Sequence, residues 1–562
     1  MCHNTYNQPV VHIFFLSRLR WVRQVAASAG LSLLVGLALS LTMQARGQDA
    51  AQGGAAESHG RILLVLPFDN RTGQPSLEWI REAAPEILSR RLASAGFAPM
   101  HRADRLYALD HLGLPEGFQP SRASSLKLAQ TLDADSIIVG SYITDGSSIQ
   151  AEAQLVNVPH LTMSAPVTAR GEMHDMISVF NSLAWKLTRE LDPGFSVAEQ
   201  TFVAAGSGLR LDAFEQYIRG ITEPDQQERL RHLNQAVLLS PGFGPAWMAL
   251  GREDYAGQQY EQAGDAFAKV GANATDALEA GYYRGLSLLF SGDYARAEEA
   301  FAAVARVLPL AEVLNNQGVA LARRGKDGVA LFRQAVAADP NAADYHFNLA
   351  VSLKRRGEAA EALTELAQSL KLRPGDTEAQ AVQRTWTGQK PEPASAAGEE
   401  AGAKADPLER IMRTFDAAAF RQAVLMMDQM DATRLEALTP QARAQKLAAQ
   451  AKDYLDHGLL LEAERLYLAA EAADSSVAEV HAGLAQVRER SGDAAAARKE
   501  ATRSLELLPS PDAYLVLGRL NLGTGHLDEA LQNTDAALKI DASNKAAQEL
   551  RRQIEARQGQ GK

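Results

Sequence analysis

The sequence predicts a mainly α fold: an α-α superhelix of stacked helix pairs in two arrays, preceded by a small α/β domain. Three observations predict it. A degenerate repeat of about 34 residues runs through most of the chain after Leu211, the period of a helix-turn-helix unit that buries its core only against its neighbours. Strand-like apolar runs are confined to residues 61–198, where they alternate with helical patterns. A stretch rich in proline, alanine and glycine divides the repeats in two.

The first element is an address. Arg18, Arg20 and Arg23 precede an uncharged run from Val25 to Met43, and Ala45-Arg46-Gly47 follows it. This is the charged and then apolar order of an export signal, released before Gln48. The same run is near the length of a membrane span, so residues 1–47 read as a signal peptide or a membrane anchor. Either form carries the rest of the chain across the membrane, which predicts a periplasmic or cell-envelope location.

In residues 61–198, Arg61 to Phe68 reads as a buried strand closed by turn residues Asp69, Asn70 and Gly73. A helix follows from about Ser76 to Ala95, with further helices near Ala103 to His111 and Ser121 to Leu132. Strands at Ser136 to Tyr142 and Ser148 to Val158 form a hairpin through Asp145-Gly146. A helix from about His174 to Leu191 closes the domain.

The first array spans residues 211–382, and its clearest unit carries Tyr282, Gly285, Leu288, Gly292, Tyr294, Ala297, Phe301 and Pro309. Gly285 and Ala297 are small enough to face each other at a close helix crossing, Gly292 makes the turn, and Pro309 ends the second helix. Trp247, Gly251 and Phe267 hold the matching places upstream, and Gly318, Phe332 and Pro340, then Leu349, Gly357 and Pro374, hold them downstream. One unit is shortened near Asp327, and Val270, Val304 and Ser369 stand where the pattern favours alanine. Residues 383–407 read as a linker. The second array spans 408–556, opening with a helix from Ile411 to Met430 whose Met412, Met426, Met427 and Met430 are expected in its core.

In period and residue identity these units resemble the tetratricopeptide repeat family, which implies an interaction scaffold. Val65-Leu66-Pro67-Phe68-Asp69-Asn70 and the run Leu132 to Tyr142, followed by Gln154-Leu155-Val156, resemble the amino-terminal α/β domain of the TolB translocation protein and related bacterial envelope domains. That resemblance implies a domain that binds proteins rather than one that catalyses.

Composition narrows the function further. A net charge of −11 over 562 residues supplies no basic face for a polyphosphate, so no nucleic-acid partner is expected. Cys2 is the only cysteine, which excludes an internal disulfide and a thiolate cluster. No phosphate-binding glycine loop, zinc-helix histidine pair or nucleophile elbow is present, and no enzyme activity, metal or cofactor is expected. The expected partner is a protein or peptide. It would meet the first helix of each pair in the first array, through Arg252, Tyr255, Tyr282, Asn315, Arg323, Phe347, Lys354 and Arg355. Aromatic anchors beside cations suit an acidic or carboxyl-terminal peptide, whereas Asn316 and Asn348 stand where the repeat favours asparagine in any case. The alternative is a ligand-sensing regulator, whose mark would be a pocket of convergent polar groups in residues 61–198.

Overall fold

The computed structural model describes residues 62–206, 208–271, 276–388, 407–415, 426 and 429–560. The leader lies outside them, as does most of the linker. Among the described residues no helix is long and apolar enough to cross a membrane.

The α/β domain forms as expected and gains strands. Its strands are β1 (Ile62–Val65), β2 (Asp69–Asn70), β3 (Ala98–Pro99), β4 (Ser136–Thr144), β5 (Ser148–Asn157), β6 (Thr162–Met163) and β7 (Val167–Glu172). Parallel pairing joins β1 to β3 and to β4, the hairpin makes β4 and β5 antiparallel, and β7 runs antiparallel to β5. The turn works because Gly146 takes φ +96°, which costs a glycine little. Alternation sends Leu63, Val65 and Ile138 to one face, under the helices Ile80–Ser94 and Met176–Leu191. Leu64, Leu66 and Ile137 go to the other, under Arg102–His111 and Arg122–Thr131.

The core of the first face continues without a break into the repeats. Phe214, Tyr217, Ile218, Phe243 and Leu250 belong to it, the Tyr217 hydroxyl donates to Glu86 at 3.0 Å, and Arg90 lies over the rings of Tyr217 and Phe243. Helix pairs then follow to Ala359–Leu372, with Thr377–Thr387 as the closing helix, so the array runs past residue 382. Gly292, Gly325 and Gly357 end first helices at φ +86°, +72° and +89°, a left-handed conformation that strains any other residue.

At Gly285 the ring of Phe301 comes nearest: a Cβ there would stand 2.6 Å from it. Gly251 on Phe267 and Gly318 on Phe332 repeat the arrangement. The small residue therefore makes room for an aromatic side chain of the same unit. Ser369, where alanine was expected, is fully buried and donates to the Ala343 carbonyl at 2.8 Å, so its hydroxyl costs nothing in desolvation.

The second array corrects the domain boundary. Its first helix pair is Pro440–Asp456 with Leu460–Ala473, and Lys545–Gln560 follows the last pair. Residues 411–415 are not helical. Met426 and Met430 are exposed, contrary to the expected core role, and Met427 lies outside the described residues. The array also packs on the amino-terminal part of the chain: Leu461 joins the α/β core, and Glu464 accepts from the Ala198 backbone N–H at 3.0 Å.

Candidate peptide-binding site

Residues 407–415, Pro-Leu-Glu-Arg-Ile-Met-Arg-Thr-Phe, lie along the groove made by the first helices of the first array. The hydrogen bonds show how. The N–H of Arg410 donates to the Asn348 Oδ1 at 2.6 Å, and its carbonyl accepts from the Nδ2 atoms of Asn348 (2.7 Å) and Asn315 (3.1 Å). Two residues on, the N–H of Met412 donates to the Asn316 Oδ1 at 2.8 Å, and its carbonyl accepts from the Asn316 Nδ2 (2.8 Å) and the Tyr282 hydroxyl (2.7 Å). Alternate residues that offer both backbone groups to one side are an extended strand. Each asparagine amide donates and accepts at once, which is what a strand's exposed edge requires.

The helices set the register. Asn348 sits on Ala343–Arg355, Asn316 on Ala311–Arg323 and Tyr282 on Ala277–Phe290. One repeat therefore holds one two-residue step of the strand, and the segment runs antiparallel to the order of the repeats. At the segment's start the Arg323 guanidinium donates to the Glu409 carbonyl at 3.0 Å, and Arg355 donates to the Pro407 carbonyl at 2.7 Å and pairs with the buried Glu409 carboxylate.

The side chains are received as specifically as the backbone. Arg410 enters a pocket of three carboxylates, bidentate to Asp376 at 2.6 and 2.9 Å, with Asp344 and Glu378 both at 2.8 Å. Its guanidinium carbon lies 3.7 Å from the Phe347 ring centroid. Burial raises the Asp344 and Asp376 carboxyls, but hydrogen bonds from Arg410, and from Arg373 to Asp344, outweigh it and hold both below the usual carboxylate range. Ile411 and Phe415 pack on the cluster around Tyr282, Met412 packs beside Ala311, Leu314 and Tyr345, and Arg413 lies over Phe290.

Of the eight expected site residues, Tyr282, Asn315, Arg323, Phe347 and Arg355 meet at this segment. The other three are engaged elsewhere. Arg252 pairs with Glu279 at 2.6 Å, Tyr255 sits among Tyr260, Tyr283 and Phe290, and Lys354 lies over Trp386. Sequence reasoning passed over Asn316 and Asn348, whose fit to the repeat's pattern concealed their role, and Asp344, Asp376 and Glu378, which a search for cations left out. The groove is thus not only cationic: it has a basic end and an acidic pocket.

Two other clusters are structural. His481 is buried between Glu500 (2.8 Å) and the Ser475 carbonyl (2.9 Å), with Glu471 close by, and His346 repeats this between Glu365 (2.6 Å) and the Pro340 carbonyl (3.0 Å). Both ring nitrogens are engaged within the unit in each case. In the α/β domain, Glu82, Glu86, Arg90, Arg102 and Arg105 converge on a cavity of about 100 Å³, below the ~300 Å³ typical of a small-molecule site. They pair with one another, Arg105 with Glu82 and Arg90 with Glu86.

A model of the tetratricopeptide repeat matches residues 282–331, 326–377, 448–510 and 488–547. These stretches are tetratricopeptide repeats. The first two matches contain Tyr282, the asparagines, Asp344 and Asp376, and Glu378 follows directly on the second. No curated protein matches the chain. Among solved structures, MamA is 14% identical, with TM-score 0.27, 28% of this chain covered and 94% of that one. YrrB, described as a TPR protein with an unusual peptide-binding site, is 17% identical, with TM-score 0.28 and coverage of 36% and 99%. The LpoB C-terminal domain from Salmonella enterica is 17% identical, with TM-score 0.18 and coverage of 21% and 87%.

Proposed function

We propose that the protein is a non-catalytic interaction scaffold that holds an extended peptide segment of a partner in the groove of its first repeat array. The observation that carries this is the seat of residues 407–415: asparagine amides from two successive repeats and the Tyr282 hydroxyl of the repeat before them match the edge of any extended chain, and such a row has no bearing on chemistry at a reacting bond. The leader of residues 1–47 supports a place in a bacterial cell envelope, and the TolB-like segments of the α/β domain agree with that setting. A nine-residue peptide display library, panned on the full chain and on the Asn316→Ala/Asn348→Ala variant, tests the reading. Enrichment that the variant loses supports it; no enrichment, or enrichment indifferent to the two asparagines, contradicts it.

A further inference from the structure

We infer that the first array's groove reads an acidic residue followed by arginine and then an apolar stretch, and that residues 407–415 are a tethered occupant which a partner peptide of that chemistry displaces. The inference rests on the peptide-binding reading above and adds the ligand's class and its competitor.

Charge complementarity fixes the ligand. The pocket brings Asp344, Asp376 and Glu378 together from two helices, and among the described residues Arg373 is the cation paired with them when Arg410 leaves, 2.8 Å from Asp344 and 3.9 Å from Asp376. A neutral side chain would leave three carboxylates facing one guanidinium, and a lysine would offer neither the bidentate fork to Asp376 nor a plane to lie on Phe347. One position earlier Arg355 asks for the opposite charge, which the Glu409 carboxylate supplies, while Arg323 holds that residue's carbonyl. After the arginine come Ile411 and Met412, packed on the repeats' own core. An acid, an arginine and two apolar residues is a signature that neither the backbone contacts nor the fold of the repeat demands.

Displacement follows from tethering. The segment and the groove belong to one chain, so a partner competes against an intramolecular occupant, and tethered occupants in general reach effective concentrations on the order of millimolar. The groove opens in full only to a peptide that matches the same pockets or to a chain whose own segment is weakened.

A fluorescent peptide with the sequence of residues 407–415 tests this on the full chain. It is expected to bind the Arg410→Ser chain at least tenfold more tightly than the wild type, and the same peptide with serine in place of its first arginine is expected to lose at least tenfold against that chain. In the wild type, which needs no folding check, saturating peptide is expected to speed hydrogen exchange in the chain's own residues 408–415. Equal affinity for the two chains, undiminished binding of the serine peptide, or an exchange rate unmoved by peptide would overturn the inference. Display peptides that depend on Asn316 and Asn348 but carry no arginine would leave the scaffold reading standing and remove this one.

Discussion

The Arg410 guanidinium carbon lies over the ring of Phe347, 3.7 Å from its centroid, while two of its nitrogens donate to Asp376. Stacking and a bidentate pair together use the whole of a planar cation, and no other side chain satisfies both. Arg410→Lys keeps the charge and loses the geometry, so the segment's hold on the groove should weaken by about 1–3 kcal/mol. Tryptic cleavage after Arg413 checks this, since cleavage there requires the segment to leave: the rate should rise by roughly tenfold or more.

Gly285 sets a second prediction. Its missing Cβ is the space the Phe301 ring fills, 2.6 Å away. Gly285→Ala should cost about 1–3 kcal/mol by overpacking, in spite of alanine's better helix propensity. Adding Phe301→Leu should recover part of that loss, so that the pair costs less than the sum of the singles in thermal melts.

Glu464 ties the second array to the segment that follows the α/β domain. Its fully buried carboxylate pairs with the partly buried Arg488 and accepts from the Ala198 N–H, and burial, the largest influence, holds its pKa above the ordinary value in spite of Arg488. Glu464→Ala removes that ion pair and leaves the Ala198 N–H without its acceptor, and should cost about 1–3 kcal/mol. Because Leu461 belongs to the α/β core, the loss should appear in a single melting transition shared by the α/β domain and the second array.

The two buried histidines predict a dependence on pH. Burial presses the His346 pKa down, but the bonds to Glu365 and the Pro340 carbonyl leave it raised above 6.5. At His481 the bond to Glu500 is the largest influence and raises it as well. A histidine raised in the folded state stabilises fully below its unfolded value of 6.5 and loses that contribution as pH climbs through the folded value. The melting temperature should therefore fall between about pH 6 and pH 8, the window set by the unfolded histidine value. In the His346→Gln/His481→Gln protein that slope should flatten.

Much of the architecture was legible in the sequence because its signals are local. The left-handed glycines at 292, 325 and 357 mark turns by chemistry alone, and the runs at 62–65 and 136–144 could only be strands of a covered sheet. What escaped was imposed from a distance. Residues 411–415 have apolar spacing that suits a helix, yet Asn316 and Asn348, on helices far back in the chain, hold their neighbours extended. Strand β7, Val-Thr-Ala-Arg-Gly-Glu, is half exposed beside β5 and carries too little apolar pattern to announce itself. Of the eight expected residues, Tyr282, Asn315, Arg323, Phe347 and Arg355 lie against the segment, and all but Asn315 are the aromatic or cationic types that mark a groove in a sequence. The acidic pocket was missed because Asp344 and Asp376 look like ordinary first-turn and cap residues, and the ion they serve lies on another segment.

Hydrogen exchange of the Arg410 and Met412 amides measures most directly whether residues 407–415 are seated as a strand in the first array. Both amides should be protected in the wild-type chain to a degree comparable with the surrounding helices, and both should lose that protection in Asn316→Ala/Asn348→Ala while the helices keep theirs. Exchange of these two amides in the wild type at the rate of an unstructured peptide would contradict the account.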